Sequence, residues 1–362
     1  MNNNIRIAFY INSLEYGGAE RVLSFIANKF SERGYTIDFI TSYPSENEYT
    51  LNSAINRFYL DNTISETSKI IKNIKQIKKI RKILKDNKVD FLVTFLAEPN
   101  IRGILSTLFL NTKSIVSVRN DPHKEYPNKF IFLFVQILYL FSNGCVFQTQ
   151  EALACFNKFV RKKSTIILNP VDNKFFCKER KYDNLQNIVT IGRLESQKNQ
   201  ELLIKAFSKI AMNYPKEKLL IYGQGKNKEI LQSLIERLNM KERIVLMGIT
   251  DNVVEVLRNA RIFVLSSDYE GLPNALMEAI AMEVPVISTD CPCGGPKMLI
   301  KDGENGYLVP VNDIDQLKNK MDILLKDINR QIKFSMMNAN IRKMFSQKLI
   351  IDKWENFILS RR

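Results

Sequence analysis

Two glutamates, Glu270 and Glu278, have a spacing that suggests a binding or catalytic role. Seven residues separate them, and the segment that holds them follows an apolar run typical of a strand. Pro273 suits the first turn of a helix, so Glu270 is expected just before that helix and Glu278 inside it. Carboxylates set apart in this way can accept hydrogen bonds from hydroxyl-rich groups, one from a sugar and the other from a ribose. The alternative is a capping acid followed by an exposed helix acid.

Two cations, Arg193 and Lys198, stand five residues apart between a predicted strand and a predicted helix. Arginine can fork onto phosphate oxygens and lysine can act as a point charge, which suits a leaving diphosphate. After the next predicted strand, Gly223 and Gly225 resemble half of a dinucleotide fingerprint. Lys228 stands where the third glycine is needed, so the pattern favours NAD binding only weakly.

Two adjacent glycines, Gly17 and Gly18, lie between the first predicted strand and a helix-period run over residues 22–30. Glycines at this point let backbone N–H groups approach a phosphate, and the helix dipole favours an anion there. A flexible turn would explain the pair equally well.

Short apolar runs that alternate with helical patterns must position these residues. Runs rich in Ile, Val and Leu on both faces, separated by helices, indicate parallel sheets covered on both sides. Such sheets bind ligands beyond the carboxyl ends of their strands, where the residues above are found. The pattern restarts after a polar stretch, which predicts two doubly wound α/β domains that divide near residues 170–186. The predicted strands are 6–11, 36–41, 91–96, 114–119, 145–149 and 165–168, then 188–192, 219–223, 244–248, 262–266, 284–289 and 307–309.

Composition excludes several other classes of protein. The 362 residues are 45% hydrophobic and 25% charged, which is ordinary globular composition and excludes a disordered, collagen-like or disulfide-stapled chain. The five cysteines form no disulfide framework and no tetrahedral metal spacing, so a reducing cytoplasm is expected. The longest apolar stretch, residues 130–141, is too short to span a bilayer and is expected to be a buried helix rather than a membrane contact.

The two halves carry the formal net charge of +15 almost equally, and the excess of the first half is concentrated in one segment. Residues 69–88 hold nine basic side chains and one acid, and Ile and Leu recur there at three- and four-residue steps, which predicts an amphipathic helix. Its cationic face would attract anionic lipid, a pyrophosphate or nucleic acid, the last being least favoured because no aromatic residue interleaves. A solvated helix is the alternative. The membrane-facing candidates are Lys75, Lys78, Lys79 and Lys82.

In combination, these motifs resemble one enzyme family. The context of Glu270 and Glu278, E-G-L-P-N-A-L-M-E-A, is similar to that of the retaining glycosyltransferases of family 4, which have the two-domain GT-B fold. The resemblance covers essentially the whole chain. The other matching segments are residues 17–21, 169–172, 192–194 with Lys198, 302–306 and 308–310.

The resemblance implies two tandem Rossmann-like domains with a cleft between them. Residues 1–170 would form the acceptor-side domain, residues 171–344 the nucleotide-sugar domain, and residues 345–362 would pack back on the first. The implied catalytic residues are Arg193 and Lys198, which would hold the donor diphosphate, and Glu270, which would contact the donor sugar. Glu278 would bind the ribose hydroxyls. The other implied donor-binding residues are Gly17, Gly18, Gly192, Gly223, Gly271, Leu272, Pro273 and Asn274.

Some positions depart from the family pattern. Family members often have a histidine in the N-terminal cleft; here the strand ends near Arg119 and the sole histidine is His123, so either could face the cleft. Glu20 and Arg21 are further acceptor-side candidates. Met298 stands where related sequences commonly have a glutamate, which removes one possible ligand contact.

No metal or redox site is predicted. Asp313 and Asp315 form the only Asp-x-Asp pair, and Asp313 is expected to cap a helix. Cys291 and Cys293 are expected to be small residues in a glycine-rich turn.

The function that the resemblance implies is metal-independent, retaining transfer of a hexose or N-acetylhexosamine from a UDP-sugar to a polyprenyl-diphosphate-linked saccharide, in bacterial O-antigen or capsule synthesis. No cofactor beyond the nucleotide sugar and no nucleic-acid partner are expected. The protein would be cytoplasmic and peripheral on the inner face of the cytoplasmic membrane. The alternatives are another GT-B enzyme, such as a sugar-nucleotide epimerase, and a non-catalytic lipid-binding scaffold.

Overall fold

The computed structural model describes residues 5–60, 68–176, 185 and 187–362. Residues 177–184 and 186, part of the predicted boundary region, lie outside those ranges. The chain forms two compact units, which we call the N-terminal unit (Met1–Pro170 with Lys348–Arg362) and the C-terminal unit (Val171–Gln347). Each unit is built on its own parallel sheet. The predicted fold class, two doubly wound parallel-sheet α/β domains, is confirmed.

The N-terminal unit contains a seven-stranded sheet in which all neighbouring strands are parallel. Its strands are β1 (Arg6–Ile11), β2 (Thr36–Thr41), β3 (Asn56–Tyr59), β4 (Phe91–Phe95), β5 (Lys113–Ser117), β6 (Gly144–Phe147) and β7 (Ser164–Ile166). The spatial order is β3-β2-β1-β4-β5-β6-β7, so the chain order reverses between β1 and β4. The sequence analysis missed β3, because this short edge strand has no buried side chain to mark it.

Helices cover both faces of this sheet. They are α1 (Gly18–Glu32), α2 (Lys69–Asp86), α3 (Ala97–Thr107), α4 (Pro122–Glu125), α5 (Lys129–Leu138), α6 (Gln150–Ala154) and α7 (Lys158–Lys162). α1 packs on the face that carries Phe9, whereas α2 packs on the opposite face, with Ala8 and Tyr10. α3 lies beside α2 through an Arg102–Asn73 hydrogen bond of 2.9 Å. The predicted amphipathic helix is therefore confirmed and belongs to one layer with α3.

The apolar segment at residues 130–141 is mostly exposed, so the expectation of a buried helix was wrong. Only Val135 and Leu138 of α5 are buried, and Asn100 of α3 donates to the hydroxyl of Tyr139 at 2.9 Å just after the helix. α5 is apolar on all sides, and a single short helix can turn only one side toward the sheet. The exposed side chains are Phe130, Ile131, Leu133, Phe134, Ile137, Leu140 and Phe141.

A half-buried glutamate, Glu125, lies at the end of α4, beside the start of α5. Burial and the nearby charge of Asp121 raise the pKa of Glu125 to about 8. Its Oε2 has no hydrogen-bond partner among the described residues. The folded state therefore keeps a proton on Glu125 that the unfolded chain releases above its ordinary pKa.

We expect this acid to make folding pH-dependent. Its stabilising contribution is complete below the unfolded pKa and is lost as the pH rises toward about 8. Relative to Glu125→Gln, the wild type should lose up to about 1.4 kcal/mol of unfolding free energy per pH unit in that window. Urea titrations at several pH values measure this, with Glu151→Gln, an exposed glutamate, as the control. If the free energy of unfolding depended on pH equally in wild type and in Glu125→Gln, Glu125 would not be protonated in the folded state.

The C-terminal unit contains a six-stranded parallel sheet in the order β10-β9-β8-β11-β12-β13. The strands are β8 (Asn187–Ile191), β9 (Lys218–Tyr222), β10 (Ile244–Gly248), β11 (Ala260–Leu265), β12 (Val286–Thr289) and β13 (Gly306–Val309). Its helices are α8 (Gln200–Ser208), α9 (Lys228–Arg237), α10 (Val253–Arg258), α11 (Asn274–Ala281), α12 (Gly295–Leu299), α13 (Ile314–Lys326) and α14 (Ile328–Ile341). Asp313 caps α13 by accepting from the Gln316 N–H at 2.9 Å, which confirms its predicted role.

The last helix, α15 (Gln347–Leu359), lies almost entirely within the N-terminal unit. Its Trp354 is fully buried and packs on Phe95, with ring centroids 5.7 Å apart. Arg33 forms ion pairs with Asp352 and Glu355 of the same helix. Among the described residues, no helix is both long and apolar enough to cross a membrane.

Candidate active site

The C-terminal sheet reverses its chain order between β8 and β11, which are neighbours although two strands separate them in sequence. Open parallel sheets bind ligands at such a reversal, beyond the carboxyl ends of the strands. Residues 192–199 leave β8 at this point, and residues 266–273 leave β11. The structure therefore places the segments that hold the three predicted catalytic residues at one edge of one sheet.

An ion pair joins the two segments. Nζ of Lys198 contacts Oε1 of Glu270, and the two side chains are only 18% and 7% exposed. The hydroxyl of Ser267 donates to the same carboxylate oxygen at 2.7 Å. A buried carboxylate needs such partners, since an uncompensated charge in the interior is costly. Lys198 and Glu270 therefore form one electrostatic unit.

Backbone contacts on both sides of Lys198 hold its loop against the β11 segment. The Asp268 N–H donates to the carbonyl of Gln197, and the Ser266 hydroxyl donates to the carbonyl of Lys198, each at 2.9 Å. Asn199 adopts a left-handed backbone with φ 42°, and its side chain both caps α8 and donates to Asp268 at 2.7 Å. Asparagine tolerates this conformation better than most residues. The loop is thus fixed before any ligand binds.

Gly192 and Gly223 allow two loops to approach closely at this edge. Gly223 has φ +142°, and a Cβ there would lie 1.9 Å from the carbonyl oxygen of Gly192. A Cβ on Gly192 would lie 3.4 Å from Cε of Lys198, so that lysine stem runs directly over the glycine. Both predicted donor-binding glycines therefore have a packing role beside Lys198.

The segment after Glu270 is packed equally tightly. A Cβ on Gly295, at the start of α12, would lie 1.8 Å from the carbonyl oxygen of Gly271. Gly271, Leu272 and Pro273 are buried, and Asn274 begins α11. Pro273 precedes the helix as its N-cap instead of lying in its first turn.

Arg193 and Glu278 differ in exposure. The Arg193 side chain is mostly exposed, with a weak ion pair of 3.3 Å to Glu195, so it can turn toward an anion at little cost. Glu278 is buried on α11, one turn after the helix begins. An exposed acid on a helix surface, the alternative interpretation for this residue, is thereby excluded.

In the N-terminal unit, the predicted glycines lie at the carboxyl end of β1, next to the reversal between β1 and β4. Gly17 is the N-cap of α1, and Gly18 is its first residue. Glu20 reaches back so that its carboxylate lies over the α-carbon of Gly17. Arg21 is half-buried in the first turn of the same helix.

Arg119 and His123 have opposite environments. Arg119 is buried, donates to Asn169 at 2.8 Å and lies over the ring of Phe95, 3.6 Å from its centroid. Burial lowers the pKa of this guanidinium. Its Nε and Nη2 have no hydrogen-bond partner among the described residues. His123 is exposed, with Nε2 3.6 Å from the sulfur of Cys155.

The two neighbouring cysteines of the C-terminal unit are buried in a tight turn. Cys293 and Gly294 both have positive φ, of 74° and 68°. Burial, followed by the charge of Glu270, raises the pKa of Cys291 to about 12, so its thiol stays protonated. This environment is typical of small packing residues and disfavours a thiolate nucleophile.

Sequence reasoning missed the residues that orient the catalytic candidates. Ser266, Ser267 and Asp268 follow β11 directly and fix Lys198, Glu270 or Asn199, as described above. A run of small polar residues at the carboxyl end of a buried strand is the signal that could have identified them. Chemically, the assembled group offers a fixed positive charge for a developing anion and fixed oxygen acceptors for hydroxyl groups.

Comparison with known proteins identifies the family. The model for "Glycosyl transferases group 1" matches residues 171–344. The chain is 30% identical over 361 residues to a Campylobacter jejuni α-1,4-N-acetyl-D-galactosaminyltransferase, and the match covers 98% of both chains. This chain belongs to the group 1 glycosyltransferases. That relative is named for the acceptor GalNAc-α-(1→4)-GalNAc-α-(1→3)-diNAcBac-PP-undecaprenol.

Two further matches place this group 1 glycosyltransferase among known proteins. It is 25% identical over 293 residues to an Escherichia coli enzyme named UDP-Gal:α-D-GlcNAc-diphosphoundecaprenol α-1,3-galactosyltransferase, covering 75% of each chain. Among solved structures, HepE of Anabaena in complex with UDP and glucose has a TM-score of 0.82 at 15% identity, covering 99% of this chain and 100% of HepE. The likeness to HepE shows the GT-B fold. The protein is an enzyme, a glycosyltransferase.

Proposed function

We propose that this glycosyltransferase transfers a hexose or N-acetylhexosamine from a UDP-sugar to a polyprenyl-diphosphate-linked saccharide in the synthesis of a bacterial surface polysaccharide such as O-antigen or capsule. The observation that carries the proposal is the Lys198–Glu270 pair at the switch point of the C-terminal sheet. A fixed lysine suits the negative charge that grows on a departing diphosphate, and a fixed carboxylate suits sugar hydroxyls.

The donor is proposed to bind the C-terminal unit. Arg193 and Lys198 hold its diphosphate, Glu270 and the backbone of residues 271–274 contact the sugar, and Glu278 accepts from the ribose hydroxyls. Glu278 lies on α11, one turn after the helix begins and eight positions after Glu270, which supports this role. UDP is favoured as the nucleotide because HepE was solved with UDP and the E. coli relative is named for UDP-Gal.

The N-terminal unit is proposed to take the acceptor. Gly17 and Gly18, at the N-terminus of α1, remain proposed donor-binding residues, because a helix N-terminus favours an anion. Glu20, Arg21 and Arg119 are the acceptor-side candidates. A polyprenyl-diphosphate acceptor is supported by both enzyme relatives, which are named for acceptors on diphosphoundecaprenol. Such an acceptor is held in a membrane, so we propose that the enzyme works peripherally on the inner face of the cytoplasmic membrane.

α2 is the proposed electrostatic contact with that membrane. Lys75, Lys78, Lys79 and Lys82 are all exposed on it. Lys82 is paired with Asp86 at 2.6 Å, and Lys79 donates to the backbone carbonyl of Leu60. Lys75, Lys78 and Lys79 therefore carry most of the attraction that we expect toward anionic headgroups, because a hydrogen bond to a carbonyl leaves the charge of Lys79 in place.

The reaction is proposed to retain the anomeric configuration and to proceed without a metal ion, with Arg193 and Lys198 supplying the positive charge. The test is the release of UDP from a panel of UDP-sugars, with and without EDTA, by wild type and Glu270→Ala. We expect turnover by wild type, insensitive to EDTA, and its loss in Glu270→Ala. Glu201→Ala, which removes an exposed glutamate on α8, is the matched control and should keep full activity. No turnover of any nucleotide sugar by wild type would overturn the proposal, and an inverted product seen by NMR would overturn the retaining mechanism.

A further inference from the structure

One surface of the N-terminal unit is both apolar and exposed over a helix and the turn that follows it. We call it the α5 face: Phe130, Ile131, Leu133, Phe134, Ile137, Leu140 and Phe141. Phe130 is 84% exposed. Residues spaced at three and four positions form one stripe along a helix, so Phe130, Phe134 and Ile137 share a side of α5. An exposed apolar patch with polar residues around it marks a contact with a membrane or with another protein.

The inner side of α5 is firmly attached, so its apolar outer face is a stable feature of the fold. Val135 and Leu138 are buried, and the side chain of Asn128 caps the helix by accepting from the N–H groups of Phe130 and Ile131. Gln136 accepts from the backbone N–H of Asn157 at 2.8 Å, which ties α5 to the start of α7. The outer face cannot turn inward without breaking these contacts.

α5 and α2 run in the same direction on the same face of the sheet. α2, α3 and α5 lie on the same side of the sheet, and each leads from the carboxyl end of one strand to the amino end of the next. All three therefore begin at the carboxyl edge of the sheet. Ile70, Ile71 and Ile74, in the first turns of α2, are also exposed at this edge. These isoleucines add to the exposed apolar surface at the carboxyl edge of the sheet.

Positive charge surrounds the α5 face. Lys129 begins α5, and α7 beside it carries exposed Lys158, Arg161 and Lys162. Lys163 reaches back to donate to the carbonyl of Leu140 at 2.8 Å. Glu151 is the one acidic residue between positions 129 and 163. Apolar side chains next to cations match the order of a bilayer surface, in which acyl chains lie beneath anionic headgroups.

We propose that the α5 face inserts its phenylalanines into the acyl region of an anionic bilayer while the surrounding cations contact the lipid headgroups. α5 has ten residues, which suits a helix lying in the interface and is too short for a span. A second copy of this chain is a poorer occupant, because a symmetric contact would bring the same cations of both copies together. The biological purpose of the insertion rests on the proposed lipid-linked acceptor, but the insertion itself does not.

The test measures binding of the full chain to vesicles of phosphatidylglycerol mixed with phosphatidylcholine, with no donor or acceptor present. Phe130→Ser/Phe134→Ser should lower the partition coefficient by at least about tenfold, because two exposed aromatic side chains no longer enter the acyl region. Phe109→Ser is the matched control and should bind like wild type. Phe109 is 98% exposed but follows the C-terminal end of α3, at the opposite edge of the same layer.

Insertion depth is measured separately by fluorescence. Trp354 is the sole tryptophan and is buried, so an added tryptophan reports its own position. Brominated acyl chains should quench Phe134→Trp and leave Phe109→Trp unchanged. Equal binding by wild type and the double serine variant, or no quenching of Phe134→Trp, would overturn the proposal. A wild-type dimer in solution that the double serine variant abolishes, without a change in vesicle binding, would assign the face to a second copy instead.

These readouts are independent of sugar transfer. UDP release from the donor, measured without vesicles, should be the same for wild type and the double serine variant. Vesicle binding with no donor turnover would leave the insertion standing and remove the proposed function. Donor turnover without vesicle binding would overturn the insertion and leave the proposed sugar transfer standing.

Discussion

Replacing Lys198 with methionine is expected to lower the rate of sugar transfer at least about 10²-fold, with a much smaller change in donor affinity. Stabilising charge that develops in the transition state is commonly worth this much when one fixed donor is removed. Methionine keeps the unbranched stem that runs over Gly192, so the loop can retain its packing. Steady-state kinetics with a UDP-sugar separate the turnover number from the Michaelis constant.

Two further variants separate catalysis from folding. Lys205→Met, on α8, removes a partly exposed lysine that pairs with Glu201 and should retain full activity. Lys198→Met alone leaves Glu270 buried without its cation, which should also lower stability. In Lys198→Met/Glu270→Gln no charge is left unpaired, so stability should recover while activity stays low. Recovery of activity together with stability would show that Lys198 acts only through the fold.

Gly295→Ala is expected to destabilise the C-terminal unit by about 3 kcal/mol and to weaken donor binding at the same time. The new methyl group would lie 1.8 Å from the carbonyl oxygen of Gly271, and backbone atoms cannot move aside as the end of a side chain can. The segment that must shift is the one that follows Glu270. Urea unfolding measures the first effect, and calorimetric titration with UDP measures the second.

Gly303→Ala is the matched control for this change. Gly303 has φ +75°, and a Cβ there would meet nothing within 4 Å, so alanine adds backbone strain alone. We expect a cost of about 1 kcal/mol and unchanged UDP binding. Equal destabilisation by the two substitutions would contradict the close approach of α12 to the Glu270 loop.

The regular elements could be predicted from the sequence because buried strands have an unmistakable pattern. β1 and β2 begin and end where their apolar runs do. β3 has no such run and depends on its neighbour β2 for its conformation, so it could not be predicted locally. In the same way, the apolar composition of α5 indicated a helix but not which of its sides would meet the sheet.

The sequence by itself determined the order of the strands other than β3, the positions of the glycines that follow the strands, and the candidate residues Arg193, Lys198, Glu270 and Glu278. Only the tertiary structure decided that Lys198 and Glu270, 72 positions apart, form one buried pair. It also decided that Ser267 orients that pair and that the α5 face stays exposed. The physical reason is that the local pattern of apolar and polar residues indicates only which side chains are buried. Which polar groups meet depends on the pairing of β8 with β11, a contact between strands that are distant in sequence.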